Sequence, residues 1–299
     1  MAKLFEYLDN EIFCHHSLDQ DPDPQKFYLH VHERMEIFYL IQGNVNYIVE
    51  GNVYTMRPGE VILTDRGEAH RVELHLGQPY ERISIQFDYS LLQKIDPEGV
   101  LLKPFRQREL GVSNRYPIPG RSRGRFLSAF ENFDRDYPDS RKRLHIIGVI
   151  LAVMGEVCDE FDSLRDDARY AGVDGVARQM IRYINERLFE NISLATISQA
   201  FFLCESQVSR IFKNATGSSI GEYVRTKRLV AAREKILEGE PATVAYSSCG
   251  FRDYSSFYRA YRALFGYSPS ETVAPNLTES WQVDDPQTVI LGGRMEPKS

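Results

Sequence analysis

Two sets of residues in this 299-residue chain have the types and spacing to do chemistry. The first is His30-x-His32-x-x-x-Glu36, followed downstream by Asp65-x-Gly67-x-x-His70. Neutral imidazoles donate and accept hydrogen bonds, so His30, His32 and His70 with the Glu36 carboxylate can orient a hydroxylated or carboxylate-bearing small molecule. The same donor set suits a borderline divalent ion such as Zn, Ni, Mn or Fe. The second set could read nucleic acid. It comprises Ser206, Gln207, Ser209, Arg210 and Lys213 in one run, then Arg228, then Tyr254, Ser255, Ser256, Arg259 and Arg262 in another. Hydroxyl, amide and guanidinium groups of this kind meet base edges and phosphates.

Each set needs elements that present it. Between Phe27 and Phe87 the sequence reads as short strands with turn punctuation: Glu36 to Ile41, Val45 to Val49, Val53 to Met56, Val61 to Thr64, His70 to Leu74 and Arg82 to Phe87. Six strands at this spacing predict an antiparallel barrel or sandwich. His30 and His32, two residues apart, fall on one strand face. From Ser193 to Gly266 a helix, a tight turn and a second helix ending in an aromatic residue and Gly occur twice. In the first copy Leu194, Ile197, Ala200, Val208, Ile211 and Phe212 recur at helical spacing around a break at Phe202 to Cys204. In the second, Asp253 is an N-cap for Tyr254 to Leu264, with Phe257, Tyr261 and Leu264 inward. A long helix from Tyr223 to Leu237 joins the copies.

At these residues the chain resembles two known groups. The string SRIFKNATGSSIGEYVRTKRLVAAREKIL, followed by CGFRDYSSFYRAYRALFGYSP, is similar over about a hundred residues to the DNA-binding domain of AraC/XylS transcription regulators. That resemblance implies base reading by Ser206, Ser209 and Arg210 and by Tyr254, Ser255, Ser256 and Arg259, with Gln207, Lys213, Arg228 and Arg262 meeting phosphate. Departures are Cys204 at a capping position usually Ser, Ser198 in place of a small Ala, Ala245-Tyr246 before Gly250, and Thr272-Val273 after Ser268-Pro269. The histidine pattern resembles the two cupin motifs, in which the corresponding side chains converge inside a barrel on a metal; here Asp65 replaces the usual Pro and Leu74 the distal Asn. In AraC-type regulators the cupin is usually a metal-free small-molecule pocket. The resemblance therefore implies an effector pocket at His30, His32, Glu36 and His70, with no cofactor, a divalent metal there being the second reading.

Composition fits a soluble two-domain protein: 42% hydrophobic, 26% charged and a net charge of −6. The charge is unevenly placed. Residues 174–275 hold 13 Lys and Arg against 10 Asp and Glu, a local +3, leaving 23 against 32 elsewhere. An attraction for phosphate is thus local to the repeat half. The longest apolar run is far short of a spanning helix, no signal peptide is visible, and the four cysteines have no metal-like spacing and read as reduced buried thiols. Residues 1–26 read as an extended arm. Residues 122–137 and 140–165 read as helices, the second with a stripe of Leu144, Ile147, Leu151, Met154, Cys158 and Phe161 widened by Ile146, Ile150, Val153 and Val157. So broad a surface could cover the barrel on one side and a second subunit on the other.

The expected fold is α+β in two domains: an N-terminal antiparallel β-barrel of cupin-like jelly-roll type with linker helices, then an all-α domain with two helix-turn-helix units. The expected boundaries are 1–120 sensing, 121–165 dimerisation, 166–175 linker, 176–274 DNA binding and 275–299 tail. The reading is a cytoplasmic homodimeric transcription regulator that is not an enzyme, binds double-stranded DNA, is controlled by a small molecule such as a sugar, and has no membrane partner. The alternative is a metal-dependent cupin isomerase or oxygenase with an appended helical domain, although no second acid or base stands out.

Overall fold

The structure, a computed structural model, describes residues 2–23, 27–75, 77–116, 130, 137–166, 175–272 and 289–290. It divides into two compact units. One comprises Met1–Phe27, Arg34–Glu68 and Val72–Gly172; the other comprises Tyr28–Glu33, Ala69–Arg71 and Val173–Ser299.

The strands are β1 (Ala2–Leu8), β2 (Ile12–Asp19), β3 (His30–Val31), β4 (Met35–Gln42), β5 (Val45–Val49), β6 (Asn52–Met56), β7 (Val61–Thr64), β8 (His70–Leu74), β9 (Tyr80–Phe87), β10 (Arg115–Tyr116) and β11 (Val289–Ile290). In the first unit an antiparallel sheet runs β1-β2-β9-β4-β7-β10. Across β2, β4 and β9 its two faces are both buried but chemically unlike. Ile12 and Cys14, Met35 and Ile37, and Ile83 and Ile85 belong to an apolar core shared with Leu92 of helix α1 (Tyr89–Ile95), Phe105 of α2 (Lys103–Arg106) and the long α3 (Asp139–Asp166). The alternate positions of β2, β4 and β9 carry His15, Ser17, Asp19, Glu36, Arg82, Ser84 and Gln86, all buried. On that same side Phe38, Leu40, Ile62 and Tyr80 pack with Val45, Tyr47, Val49 and Met56 of the β5–β6 hairpin.

One expectation changes here. The N-terminal stretch is not an extended arm: β1 and β2 form the edge of the sheet, and β2 pairs with β9 from Ile12↔Phe87 to Asp19↔Tyr80. Asp9 Oδ1 accepts from the Glu11 and Ile12 N–H groups at 2.8 and 2.7 Å and turns the chain between the strands. Because β2 is buried on both faces, it lacks the alternation that marks a half-buried strand. In α3, Ile146, Val149, Ile150, Val153, Met154, Val157 and Phe161 are spent on the first unit's own core, while Leu144 is 68% exposed. The helix expected over 122–137, the linker over 166–175 and the tail apart from β11 lie almost wholly outside the described residues.

The second unit holds α4 (Val176–Glu186), α5 (Leu194–Phe201), α6 (Glu205–Thr216), α7 (Ile220–Leu237), α8 (Ala242–Ser248) and α9 (Tyr254–Phe265). Capping explains where several start. Ser193 Oγ accepts from Thr196 N–H at 3.1 Å, Ser219 and Glu222 cap α7 reciprocally, and Asp253 Oδ1 accepts from Ser256 N–H at 2.7 Å. Met180, Ile184, Ile197, Val208, Phe212 and Tyr223 form one core; Leu229, Ala232, Ala245, Cys249, Phe257 and Tyr261 form another. The first core also takes in Leu29, Val31 and Ala69. β3 is flanked by β8, through His30↔His70, and by β11, through Val31↔Val289 and His30↔Ile290.

Candidate functional site

The two helix-turn-helix units repeat one another in three dimensions as well as in sequence. α6 and α9 are both 12 residues long and both end on a glycine of positive φ, Gly217 and Gly266. Aligning those glycines sets buried Val208 beside Phe257, buried Phe212 beside Tyr261, and exposed Arg210 and Lys213 beside Arg259 and Arg262. Heptad-like burial on one face leaves the opposite face free to meet a groove. Ser206, Gln207, Ser209, Arg210 and Lys213 are exposed on α6, as are Ser255, Ser256, Arg259 and Arg262 on α9, with Tyr254 half-buried at its start.

Three residues need closer attention. Cys204 is exposed, unlike the buried Cys14, Cys158 and Cys249, which corrects the expectation of four buried thiols. Hydrogen bonds with the Ser206 hydroxyl and with the backbone draw its thiol below the ordinary range. Gln207 Oε1 accepts from the Cys204 N–H at 3.2 Å, which leaves its amide NH2 as the donor end. Ser198 Oγ donates to the Leu203 carbonyl and ties the turn of the first unit, in which Phe202 is left-handed at φ 54° and 96% exposed.

Arg228 is held by the backbone. Its Nε donates to Leu188 O and Nη1 to Gly250 O, each at 2.7 Å, and Nη2 donates to Glu190 O. With three of its five N–H donors on backbone carbonyls, the guanidinium fastens α7 to the segment after α4 and to the turn of the second unit. Gly250 makes this possible. Its φ is +79°, and a Cβ there would lie 2.6 Å from Phe189 O and 3.0 Å from Arg228 Cζ. Ala245, the position the sequence left uncertain, is fully buried against this core, and Tyr246 packs edge-on to Tyr254 at 5.5 Å.

The histidines divide from Glu36. His30, His32 and His70 come together in the second unit, with one nitrogen of each within 4.8 Å of the others. Their ring centroids are 4.2 Å apart for His30 and His70 and 4.8 Å for His32 and His70. His30 Nδ1–H donates to Tyr28 O at 2.9 Å, which leaves Nε2 as its basic nitrogen. Nitrogens bound tetrahedrally to zinc stand about 3.3 Å apart, so small ring rotations would close this set on an ion; the residues fit. Glu36 lies in the first unit, where it accepts from Ser84 Oγ at 2.6 Å and Thr64 Oγ1 at 3.4 Å.

Around Glu36 the structure shows a polar group the sequence reading missed. Asp19 pairs with Arg82 at 3.0 Å, and His15 Nδ1 is 3.0 Å from Ser17 Oγ. Burial, with Arg82 nearby, holds His15 down to about 3, so it is neutral; burial also pushes Tyr47 up, with the Glu36 charge and hydrogen bond adding to it. The Tyr80 hydroxyl and Gln86 Oε1 are buried without a hydrogen-bond partner among the described residues. Period-2 alternation on β2 and β9 was the available signal, hidden because the other face is equally buried.

Comparison with known proteins agrees with both halves. Residues 197–274 match a family described as a helix-turn-helix domain and residues 19–83 one described as a cupin domain. The probable transcriptional regulator LumQ of Photobacterium leiognathi is 39% identical over 89 residues, 29% of this chain and 36% of LumQ. The Msm operon regulatory protein of Streptococcus mutans is 21% identical over 245 residues, 81% of this chain and 84% of that protein. The crystal structure of ToxT from Vibrio cholerae is 14% identical and covers 88% of this chain and 97% of its own, with a TM-score of 0.36. Among the described residues no helix is long and apolar enough to cross a membrane. A cupin domain over residues 19–83 ahead of a helix-turn-helix domain over residues 197–274 supports a transcription regulator of AraC/XylS type.

Proposed function

We propose that this regulator is a cytoplasmic homodimer that binds two successive major-groove segments of its operator through α6 and α9 and answers to a small molecule in its first unit. The observation that carries the reading is the matched pair of exposed faces. Ser206, Ser209 and Arg210 on one helix and Tyr254, Ser255, Ser256 and Arg259 on the other read base edges, while Gln207, Lys213 and Arg262 hold phosphate. Its work is binding rather than catalysis. The half-exposed Ile147 and Leu151 of α3, with exposed Leu144, are the apolar remainder offered to a second subunit.

For the effector, the polar face around Glu36 favours a neutral hydroxylated molecule such as a sugar. Asp19 and Arg82 pair with each other and His15 is uncharged, so these groups offer an anion no charge to offset the Glu36 carboxylate. Hydroxyl groups, which donate and accept, match Glu36, Ser84, Tyr80 and Gln86, and the Tyr47, Phe38 and Tyr80 rings supply apolar surface. Were a metal bound, His30, His32 and His70 would hold it, and it would supply a fixed positive charge and an open coordination position.

The test pairs a gel-shift series on DNA upstream of the gene with transcription measured against candidate effectors. Ser84→Ala with Gln86→Leu should abolish the effector response and leave basal operator binding intact. Failure of the wild type to prefer any specific DNA over random sequence would overturn the regulatory reading; a double variant that still responds would overturn the placement of the pocket.

A further inference from the structure

The turns that lead into the two recognition helices are built differently. Counting back from Gly217 and Gly266, Phe202 in the first stands where Phe251 stands in the second. In the second turn the left-handed residue is Gly250, and the Phe251 ring packs inward at 5.2 Å from Phe257. In the first turn Phe202 itself is left-handed, at φ 54°, and its ring is almost wholly exposed. The conformation is fixed from outside the ring. Phe202 N–H donates to Gln199 O at 3.4 Å, Leu203 N–H to Ser198 O at 3.2 Å, and the Ser198 hydroxyl to Leu203 O. The neighbours do the packing that Phe202 does not: Phe201 lies edge-on to Tyr183 at 5.7 Å, and Leu203 packs against the core of Ile197 and Val208. A Cβ is disfavoured in the left-handed region and a solvated ring gains nothing from burial, so the folded chain alone derives no benefit from phenylalanine here. Strain of this kind clusters where a protein binds something.

We propose that Phe202 is a specificity-determining residue of the first helix-turn-helix, its ring meeting the 5-methyl group of a thymine in the major groove just outside the bases read from α6. The position argues for DNA. Phe202 lies two residues before Cys204, the N-cap of α6, and the N-terminal residues of a recognition helix are the ones that reach base edges. The exposed Ser206, Ser209 and Arg210 offer hydrogen bonds, which a methyl group cannot answer; Phe202 adds the apolar surface that a thymine methyl matches. The backbone that carries the ring is already ordered by its hydrogen bonds, so contact costs little further ordering. The inference rests on the base-reading assignment of α6 and adds to it a residue outside the helix.

The test selects bound sequences from random DNA with the full chain, then measures affinity for the selected operator with single thymines replaced by deoxyuridine, which removes only the methyl group. For wild type, one such replacement at the edge of the stretch read by α6 should weaken binding about 3–5-fold, the contribution of one buried methyl group. The loss should be the same at about 50 and about 200 mM salt, because no phosphate charge is involved. Phe202→Gly and Phe202→Asn, whose new residues both tolerate the left-handed region, should bind the thymine and deoxyuridine operators alike. Phe202→Leu should restore part of the preference. A wild type that selects no sequence would refute base reading itself, on which the inference rests. A wild type that selects a sequence but is indifferent to every thymine methyl, or a thymine preference unchanged in both variants, would overturn the role of Phe202 alone. So would variants that keep full operator affinity and lose transcription, since that outcome assigns the ring to a protein partner.

Discussion

Arg228→Ala separates a structural cation from a DNA-binding one. The side chain donates to Leu188 O, Glu190 O and Gly250 O, and hydrogen bonds from a charged donor contribute about 1.5–3 kcal/mol each. The three are not additive, and at this half-buried position water can reach part of what is left, so the expected loss is roughly 2–4 kcal/mol. That corresponds to a fall in melting temperature on the order of 10 °C for a unit of this size. Arg228→Lys should recover only part, since one ammonium cannot span three carbonyls. Chemical denaturation followed by helical circular dichroism measures the stability; operator affinity against salt measures the other role. If Arg228→Ala stays within about 0.5 kcal/mol of wild type while its salt slope drops by about 0.9, the residue is a phosphate contact and the fastening role is refuted.

Arg210→Ala should keep the fold and lose about 1–3 kcal/mol of discrimination between operator and random DNA, whereas Lys213→Ala should weaken both alike; equal losses for Arg210→Ala on the two DNAs would remove it from the base readers. Glu68→Gln should destabilise the first unit by about 3–5 kcal/mol, because it strands buried Arg108, which Glu68 holds by two bonds of 2.5 and 2.6 Å. Burial alone would raise the Glu68 carboxyl, but Arg108 and the Asp65 and Gly111 N–H donors hold it below the ordinary range. Its stabilising contribution is therefore complete at neutral pH and is lost only as pH falls through the lowered value, so wild type and variant should converge in acid denaturation only below the ordinary carboxylate range. Phe202→Gly should raise stability by about 0.5–1 kcal/mol, since the ring is 96% exposed and the left-handed backbone costs a non-glycine residue about 1–2 kcal/mol, partly offset by glycine's entropy; a loss of stability on thermal melting would show that the ring packs on something.

Residues whose signal is local were legible in the sequence. The apolar faces of α6 and α9 have helical period and a cap or glycine at their ends, so their exposed residues could be named by position alone. His30 and His32 follow from strand alternation, and their meeting with His70 needed the resemblance to a known motif. What the sequence hid depends on distant partners. Arg228 looks like any basic residue on a helix until Leu188 and Gly250 arrive to accept from it. Glu68 reads as a turn residue until Arg108, Gly111 and Asn114 close around it. The polar interior beside Glu36 was masked because β2 and β9 are buried on both sides, which erases the alternation that would have separated its two faces.

The membership of Leu29, Val31 and Ala69 in the helical unit's core also sets an order in time. These residues leave the ribosome early, and Met180, the first helical residue they pack with, follows Ala69 by roughly a hundred positions. At a synthesis rate of about 5–20 residues per second, their apolar face waits roughly 5–20 s before a partner exists. During that interval the β3–β8 segment is an exposed sticky edge on a nascent chain, the kind of surface that chaperones hold and that neighbouring chains capture. Slowing translation between residues 72 and 176 should therefore lower the soluble yield of this protein more than an equal pause placed after residue 237, when the core that receives those three side chains has been made.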